Sequence, residues 1–567
     1  MKVDERNRKH EEGESPANPF TVGAKAGPNP PRQLTVAQII VGIVIRDQSE
    51  SNLKFQSVGQ NDSVFYPKGQ IPVSTEILRL LKIGRLFQKI EQSVNDWPAE
   101  PPGLAFGNMK QEFAFLLTQT ALLLTACLSL AAPQEKPNIV IIVADDLGWK
   151  DTGYHGGDIP TPNIDKLAEE GVRLENFHVA PLCSPTRAGL MTGRWPIRYG
   201  MGESVITPWR KWGLPTTENT IADMLGKAGY KTRAAVGKWH LGHHKKELLP
   251  LSRGFTSFYG HYNGAFDYFT HRREGELDWH RNEETSLDKG YSTDLIGREA
   301  AKIIAGSESN SPFFLYVPFN APHDPMQAKE TDLRKYKSIK NKNRRIYAAM
   351  VDSMDQAVGR ILKALDEKGI KDNTFILFFS DNGGITRWAD NGSWRAGKGT
   401  VYEGGIRTPA VVCWPGGIQA GRVENTLTGY IDIYPTLKAV ASHSMDDPNP
   451  VDGRNILGIL QGKAKAEERD WFSYIAQGKP DQMALTAGDW KLVVAGKSVL
   501  DDDPPLELFH LKEDPAESNN LAAANPNKAT AMLDRLRRHR RLKIKGIPDF
   551  REGKTEFVAP KDWKITR

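Results

Sequence analysis

From about residue 138 onward the chain alternates short apolar runs with longer stretches of helical periodicity. A short run that is mainly apolar, without polar alternation in its middle, is typical of a strand buried on both faces of a sheet. The clearest runs are Asn138–Ala144, residues 231–237, residues 312–317 and Thr374–Ser380. Strands that alternate with helices in this way form largely parallel sheets. The pattern therefore predicts an α/β fold with a large mixed, mostly parallel sheet sandwiched by helices.

The pattern changes beyond about residue 465, where shorter runs predict a small antiparallel sheet with one basic helix packed on it. The strand runs are residues 471–475, 490–494 and 507–511, and the helix spans residues 527–541. We therefore expect a main domain, residues 132–465, and a carboxyl-terminal subdomain with its tail, residues 466–567. The charge run at 535–541 indicates either a solvated helix face or a contact for an acidic polysaccharide.

An uncharged stretch of twenty residues, 113–132, precedes the first predicted strand. It follows Met109 and contains the small-x-small pattern Ser-Leu-Ala at 129–131, and both features are typical of a secretory signal peptide. Because export signals act at an amino terminus, we interpret residues 109–131 as the signal peptide and Met109 as the true start. Residues 1–108 are then an extension that shares no motif with the rest of the chain.

Two other interpretations of the apolar stretch stay open. About eighteen or more apolar residues can span a bilayer, so the stretch could be a signal-anchor helix behind a cytosolic leader. The sequence Leu-Thr-Ala-Cys at 124–127 also fits a lipoprotein cleavage box, which would leave a lipidated Cys127 at the mature end. We expect a secreted or periplasmic protein, with a lipoprotein or membrane-anchored form as the alternative.

The composition is that of a globular protein, with 39% hydrophobic and 25% charged residues among 567. It excludes a disordered or collagen-like chain. The formal net charge of +6 is too small for a chain of this length to predict a nucleic-acid partner. An anionic substrate would therefore need a local cluster of positive side chains. Three cysteines without CxxC spacing predict neither a dense disulfide framework nor a zinc site.

Polar side chains follow the four predicted strands of the main domain. They are Asp145 and Asp146 at the first strand, Lys238 and His240 at the second, His323 after the third, and Asp381 and Asn382 at the fourth. Taken singly, each is typical of a turn or a helix cap. Ligands of open α/β sheets bind outside the carboxyl ends of the strands, so we expect the set to meet at one edge. Carboxylate and amide oxygens suit a hard divalent cation, whereas lysine and histidine suit an anion and proton transfer.

Residues 182–194 form the segment with the most distinctive chemistry. Ser184 suits a helix N-cap, Pro185 the first helical position and Arg187 the first turn. Cys183 would then lie at the positive end of a helix, where anions bind. The alternative, a small buried cysteine beside a capped helix, stays open on local chemistry alone.

The residues Cys-Ser-Pro-Thr-Arg at 183–187, followed by Ala-Gly-Leu-Met-Thr-Gly-Arg, resemble the signature of the type I sulfatases of the alkaline phosphatase superfamily. The resemblance runs from about residue 138 to about residue 522. It includes Gly-Lys-Trp-His-Leu-Gly at 237–242, Asp-Asn-Gly-Gly at 381–384 and Gly-Gly-Ile-Arg at 404–407. It implies an alkaline phosphatase-like fold. It also implies that a separate maturation enzyme oxidises Cys183 to Cα-formylglycine, whose hydrated aldehyde is the nucleophile.

The same resemblance implies a role for each candidate residue. The metal ligands would be Asp145, Asp146, Asp381 and Asn382, with residue 183 and the substrate sulfate completing the sphere around Ca²⁺, for which Mg²⁺ is the alternative. Cys183, as formylglycine, would be the nucleophile, and Arg187 would pair with the formylglycine hydroxylate. Lys238 and Lys398 would bind the sulfate oxygens. His240 would help to release sulfate, and His323 would donate a proton to the leaving alcohol.

The resemblance therefore implies a sulfuric ester hydrolase that acts on sulfated carbohydrates or aryl sulfates. The alternatives are a phosphomonoesterase or phosphodiesterase of the same superfamily, and a non-catalytic binding protein if Cys183 stays unmodified. Residues 259–280 resemble the arylsulfatase B-like branch, the N-acetylgalactosamine-4-sulfatases, and their aromatic and basic side chains would line a sugar subsite or form a packed loop. The sequence does not specify the sugar, the sulfate position, exo or endo action, or the oligomeric state.

Cys413 lacks the proline and arginine that follow Cys183 at fixed offsets. We therefore expect Cys413 to be a buried thiol. Because a disulfide would remove the nucleophile, we also expect no bond between Cys183 and Cys413.

Overall fold

The computed structural model describes residues 136–444, 446–465, 467–477, 481–548 and 550–566, together with two short strands, Lys54–Phe55 and Val64–Phe65. The chain divides into two units, residues 1–132 and residues 133–567. In the first unit the two short strands pair antiparallel. The predicted signal peptide at 109–131 and Cys127 lie outside the described residues. Within the described residues, no helix is both long enough and apolar enough to cross a membrane.

The second unit contains strands that we number in chain order. They are β1 (Asn138–Ala144), β2 (Val172–Leu174), β3 (Phe177–His178), β4 (Thr232–Lys238), β5 (Ser257–His261), β6 (Arg272–Arg273), β7 (Glu276–Leu277), β8 (His280–Arg281), β9 (Glu284–Thr285), β10 (Phe313–Pro318), β11 (Thr374–Ser380), β12 (Ala410–Cys413), β13 (Arg422–Glu424), β14 (Thr428–Gly429), β15 (Asp470–Ile475), β16 (Gln482–Ala487), β17 (Trp490–Val494) and β18 (Leu506–His510).

The α-helices of this unit are numbered in the same way. They are α1 (Pro162–Glu169), α2 (Cys183–Thr192), α3 (Ile221–Lys227), α4 (Ser292–Ala305), α5 (Glu330–Leu333), α6 (Lys342–Lys368), α7 (Glu403–Ile406), α8 (Ile433–Val440), α9 (Leu457–Leu460) and α10 (Pro526–Arg540). Short 3-10 helices lie at Trp149–Asp151, Gly153–His155, Pro196–Tyr199, Lys246–Leu248, Pro250–Arg253, Arg334–Tyr336, Tyr430–Asp432 and Lys561–Trp563.

Ten strands form the main sheet, in the order β9-β8-β5-β4-β10-β1-β11-β12-β2-β13. The central strands β4, β10, β1 and β11 are parallel neighbours, whereas β12 runs antiparallel to both β11 and β2. This confirms the predicted mixed, mostly parallel sheet. The four strands predicted to carry polar side chains at their ends are the four central ones. In the β1–β11 ladder Ala144 pairs with Ser380, so the two strands end side by side.

Helices cover both faces of this sheet because successive residues of a strand point to opposite sides. Ile139 and Ile141 of β1 pack in a core with helices α2, α3 and α8. Val140 and Ile142 pack in a second core with α1, α4 and α6. Each of these β1 side chains is fully buried, and full burial of such a side chain stabilises the fold by about 1.5–3 kcal/mol. The double burial explains why β1 is apolar from Ile139 to Ala144.

The carboxyl-terminal subdomain is built on an antiparallel sheet in the order β15-β16-β17-β18, with α10 packed against it. The sequence predicts β15, β17, β18 and α10 within one residue of their observed bounds. It misses β16, Gln-Met-Ala-Leu-Thr-Ala, because alanine, leucine and methionine favour helices in isolation and only cross-strand packing makes them a strand.

The basic run of α10 is only partly the solvated helix face that the sequence indicated, since Arg538 and Arg541 are exposed whereas other residues of the run pack on the subdomain. Arg535 is ion-paired with Asp470, and Arg540 lies 2.7 Å from the carboxylate of Asp481. His539 stacks on Phe472 with ring centroids 3.9 Å apart. Arg535 and Arg540 therefore help to dock α10 onto the small sheet, because they neutralise acidic residues beside it.

A fully buried ion network joins the subdomain to the main domain. The Lys491 Nζ atom, on β17, lies 2.8 Å from carboxylate oxygens of both Glu403, on α7, and Glu517. The other Glu403 oxygen accepts a hydrogen bond from His178 Nε2 at 3.1 Å. Although burial disfavours its charge, the two glutamates raise the pKa of Lys491. The lysine thus stays charged and holds two carboxylates that would otherwise repel each other.

We expect Lys491→Met to lower the free energy of unfolding by about 3–5 kcal/mol, because it leaves two buried carboxylates without their cation. Urea denaturation followed by circular dichroism measures the loss. Lys512→Met, at an exposed position of the same subdomain, is the matched control and should leave stability unchanged. Equal stabilities for the two variants would contradict the role of the network.

Candidate active site

The ends of β1 and β11 bring four polar side chains together. Asp145 and Asp146 follow β1, Asp381 and Asn382 follow β11, and all four are fully buried. Ser380 joins the two turns, because its hydroxyl accepts a hydrogen bond from Leu147 N at 3.0 Å and donates one to Asn382 O at 2.9 Å. Sequence reasoning missed this serine, since a serine at the end of a strand gives no signal of its cross-strand partner.

Each of these four side chains keeps one buried oxygen that has no hydrogen-bond partner among the described residues. The atoms are Asp145 Oδ1, Asp146 Oδ2, Asp381 Oδ1 and Asn382 Oδ1. Buried polar atoms in native proteins are normally paired, so a shared set of unpaired oxygens needs an explanation. Oxygen ligands from carboxylates and amides are those that Ca²⁺ and Mg²⁺ prefer. The donor set therefore fits a hard divalent cation.

Three buried or nearly buried cations surround these carboxylates. The Arg187 guanidinium donates from Nε to Asp381 Oδ2 at 2.9 Å, and its Nη2 lies 3.1 Å from Asp145 Oδ2. Lys238 also contacts Asp145 Oδ2, and Lys398 Nζ lies 2.6 Å from Asp146 Oδ1. Each carboxylate thus turns one oxygen toward a cation and leaves the other unpaired.

The charges at this edge shift the acid strengths of the carboxylates in opposite directions. Burial alone would raise the pKa of Asp145, but Lys238, His323 and Arg187 hold it below its usual range. Burial and the neighbouring Asp145 carboxylate raise the pKa of Asp381. The repulsion between these two carboxylates is the kind that a bound divalent cation relieves.

Cys183 is the first residue of α2, two positions earlier than the predicted start at Pro185. Ser184 is not the N-cap: it lies inside the helix, donates to His240 O at 3.1 Å and accepts from Ile206 N at 3.2 Å. The Cys183 Sγ atom lies within 4.8 Å of carboxylate oxygens of Asp145 and Asp381. Burial raises the pKa of its thiol.

Two histidines complete the cluster. His240 Nε2 lies 2.9 Å from Ile206 O; because a carbonyl only accepts, Nε2 carries the proton, and Nδ1 has no partner among the described residues. Burial, Lys238 and Arg187 lower the pKa of His240. His323 Nε2 lies 3.8 Å from Asp146 Oδ2, and its side chain is 14% exposed, so it stands at the mouth of the site.

Most aromatic side chains of the stretch at 259–280 are packed, whereas Phe269 is 46% exposed and Arg272 is also exposed. Tyr259, Tyr262, Phe266, Tyr268 and Trp279 are each at most 3% exposed. The Tyr268 hydroxyl lies 2.8 Å from the carbonyl oxygens of Asn320 and His323, so the stretch supports the loop that carries His323. This supporting role of Tyr268 could not be predicted from the sequence, because Tyr268 and His323 are more than fifty residues apart along the chain.

Cys183 and Cys413 are both buried and free, which confirms that no disulfide joins them. Cys413 ends β12, where burial raises the pKa of its thiol to about 12. It is therefore an inert core thiol, and it lies apart from the carboxylate cluster.

A family model described as Sulfatase matches residues 137–443, more than half of the chain. The chain belongs to the sulfatase family. A second model, described as N-sulphoglucosamine sulphohydrolase, C-terminal, matches residues 393–542 of this sulfatase. The family assignment confirms that the protein is an enzyme that hydrolyses sulfate esters.

Curated relatives agree with this assignment. Arylsulfatase J of Mus musculus is 34% identical over 454 residues, which cover 71% of this chain and 76% of that protein. N-acetylgalactosamine-6-sulfatase of Homo sapiens is 33% identical over 446 residues, which cover 70% of this chain and 83% of that protein. The resemblance to the 4-sulfatase branch is thus only approximate, since relatives of other specificities match this sulfatase over most of its length.

The fold also matches solved structures. Ps i-CgsB in complex with k-i-k-neocarrahexaose is 32% identical, with a TM-score of 0.67 over 72% of this chain and 94% of that chain. The alkaline phosphatase-like fold expected from the sequence is thereby confirmed for the sulfatase described here.

We expect Ca²⁺ to raise the melting temperature of chelator-treated protein, because a cation would bridge the unpaired oxygens and relieve their repulsion. At about one hundred times the dissociation constant the stabilisation is about 2.7 kcal/mol. Differential scanning calorimetry with Ca²⁺, and separately with Mg²⁺, measures the shift.

Asp381→Asn should weaken this response, since it removes one negative charge from the cluster. Asp390→Asn is the matched control, because Asp390 lies on a nearby loop with a 45% exposed side chain. The same metal-dependent shift in both variants, or none in the wild-type protein, would contradict a metal site at Asp381.

Proposed function

We propose that this sulfatase uses a Cα-formylglycine at position 183 and a bound Ca²⁺ to remove sulfate from sulfated carbohydrates. The observation that carries the proposal is the position of Cys183. It begins α2 within 4.8 Å of two metal-type carboxylates, at an edge that also holds Lys238 and Lys398. The site would therefore combine a nucleophile, a cluster that can bind a metal cation and two lysines that can bind an anion.

The metal would be held by Asp145, Asp146, Asp381 and Asn382 through the oxygens that lack partners, together with residue 183. All four side chains offer oxygen, which favours Ca²⁺ or Mg²⁺ over zinc. When bound, the ion supplies positive charge that polarises a sulfate oxygen and orients the ester. The ligands come from two adjacent strands whose ends the sheet keeps fixed, so the chain presents them in a constant arrangement.

We assign Lys238 and Lys398 to the sulfate oxygens. Both ammonium groups already lie against carboxylates of the cluster, at Asp145 and Asp146 respectively. A sulfate placed at the unpaired oxygens would therefore meet preorganised cations, which stabilise charge that develops in the transition state. Arg187 stands one turn along α2 from Cys183, and we assign it to orient Asp145, Asp381 and the hydroxylate at position 183.

The formylglycine supplies a hydrated aldehyde with two hydroxyl groups, one to attack sulfur and one to help release sulfate afterwards. His240 is proposed to take the proton in that release, because its Nδ1 is an unpartnered acceptor once Nε2 donates to Ile206 O. His323 is proposed to protonate the leaving alcohol, because its partly exposed ring stands where the alcohol would leave.

We expect Cys183→Ala to abolish hydrolysis of 4-nitrophenyl sulfate, because it removes the side chain that the proposal converts into the nucleophile. Cys413→Ala, the matched control at a buried thiol outside the site, should retain activity. Intact mass and peptide mapping of active enzyme should show an aldehyde at position 183. Full turnover by protein that carries only the free thiol would contradict the proposal.

Sulfated carbohydrate is proposed as the substrate class because relatives act on or bind such molecules. The matched human enzyme is an N-acetylgalactosamine-6-sulfatase, and the matched crystal structure of Ps i-CgsB holds k-i-k-neocarrahexaose. Sulfate release from defined sulfated mono-, di- and hexasaccharides, compared with an aryl sulfate and a phosphate monoester, tests the assignment. Activity restricted to the aryl sulfate would refute the carbohydrate substrate and leave the sulfatase activity standing.

We also propose export, with residues 109–131 as a signal peptide and a mature main domain that begins at about residue 132. A maturation enzyme that generates formylglycine is the partner this proposal requires. Amino-terminal sequencing of secreted material tests the cleavage site. A mature end at Cys127 would indicate the lipoprotein form, and an uncleaved chain in the membrane fraction would indicate the anchored form.

A further inference from the structure

Lys398 lies on a closed loop between β11 and α7. The loop closes where Gly404 N donates to Arg395 O at 2.9 Å. Inside it, Lys398 N donates to Gly384 O at 3.2 Å, and Gly399 N donates to Pro181 O at 3.0 Å. The Lys398 ammonium group reaches Asp146 on a flexible four-carbon stem, so its position depends on how firmly the loop backbone is held.

Both flanks of this loop are tied to one carboxylate of the carboxyl-terminal subdomain. Glu507, on β18, accepts a hydrogen bond from Arg395 Nη1 through Oε2 at 2.9 Å. Its other oxygen, Oε1, accepts a hydrogen bond from the Tyr402 hydroxyl, also at 2.9 Å. The Arg395 guanidinium lies over the Tyr402 ring, 3.9 Å from its centroid. Glu507 therefore connects the residue three positions before Lys398 to the residue four positions after it.

A second glutamate of the subdomain repeats this arrangement through the backbone. The carbonyl oxygen of Glu517 accepts from Arg395 Nη1 at 2.8 Å. Its side chain accepts from Glu403 N, the residue after Tyr402, at 2.7 Å. Glu507 and Glu517 lie on the stretch Glu-Leu-Phe-His-Leu-Lys-Glu-Asp-Pro-Ala-Glu at 507–517. None of the groups assigned to the reaction lies on this stretch.

We propose that Glu507 is a positioning residue: it clamps the loop that carries Lys398 and so sets the place of that ammonium group in the site. The inference rests on the proposed function, which assigns Lys398 to the sulfate. One carboxylate accepts a hydrogen bond from each flank of the loop, and a charged acceptor strengthens both bonds, so Glu507 restrains the loop at two points. The subdomain thereby contributes to catalysis without touching the substrate.

Exposure separates this role from a role in folding. The Glu507 side chain is 31% exposed and that of Arg395 is 38% exposed, so loss of the carboxylate leaves no buried charge. The buried ion pair of Lys491 and Glu517, which joins the subdomain to the main domain, does not include Glu507. Glu507→Ala should therefore fold, with at most a small fall in melting temperature.

A double-mutant cycle with 4-nitrophenyl sulfate tests the proposal. Glu507→Ala should lower kcat/KM by about ten- to a hundredfold, the scale of a misplaced catalytic group. In a Lys398→Ala background the same change should cause no further loss, because the residue it positions is gone. Glu507→Gln, which keeps an acceptor for Tyr402, should recover part of the activity. Glu513→Ala, with an 80% exposed side chain three residues beyond β18, is the matched control.

Tyr402→Phe removes one arm of the clamp with minimal disturbance and should give a smaller loss that also disappears in the Lys398→Ala background. Equal losses with and without Lys398 would overturn the positioning role, as would full activity of Glu507→Ala. If Lys398→Ala alone retains full activity, the sulfate-binding role of Lys398 itself fails. The single and double variants thus distinguish failure of this inference from failure of the proposed function.

Discussion

The structure depends on the balance between buried carboxylates and buried cations at the carboxyl ends of β1 and β11. Asp145, Asp146 and Asp381 bring three negative charges into an interior edge of the sheet, where each costs several kcal/mol to desolvate. Arg187, Lys238 and Lys398 supply the matching positive charges. The balance is incomplete, because one oxygen of each of these carboxylates has no hydrogen-bond partner among the described residues, and this oxygen set fits a divalent ion.

The sheet makes this concentration of charge possible. The β1–β11 ladder is in register over its whole length, so two sets of ligands arrive at the same level. Lys238 ends β4 and reaches Asp145 across β10. The apolar faces of these strands anchor the site on two hydrophobic cores, which lets the edge carry groups that would be destabilising elsewhere.

The carboxyl-terminal subdomain supports the site indirectly, through residues that hold other parts of the chain in place. Its buried lysine joins α7 to β17, and its exposed glutamate reaches the loop of Lys398. The aromatic stretch beside the site likewise acts as support, since Tyr268 holds the loop of His323 while its neighbours fill the core.

The sequence by itself determined the class of fold, the four central strands and the set of residues that meet at their ends. These features could be predicted because the middle of a strand that is buried on both faces must be apolar. The residues that follow parallel strands also lie at the same edge of the sheet. The signature around Cys183 added the family, since its residues recur at fixed offsets within a single helix.

Only the tertiary structure decided the contacts between segments that are distant along the chain. Ser184 suited an N-cap, yet the helix begins one residue earlier and the Ser184 hydroxyl joins His240 to Ile206 instead. Arg535 and Arg540 of α10 looked solvated until acidic residues of the small sheet were placed beside them. Glu507 and Tyr268 carry no local signal at all, because a hydrogen bond across fifty or a hundred residues depends on the fold and leaves no periodicity in the sequence.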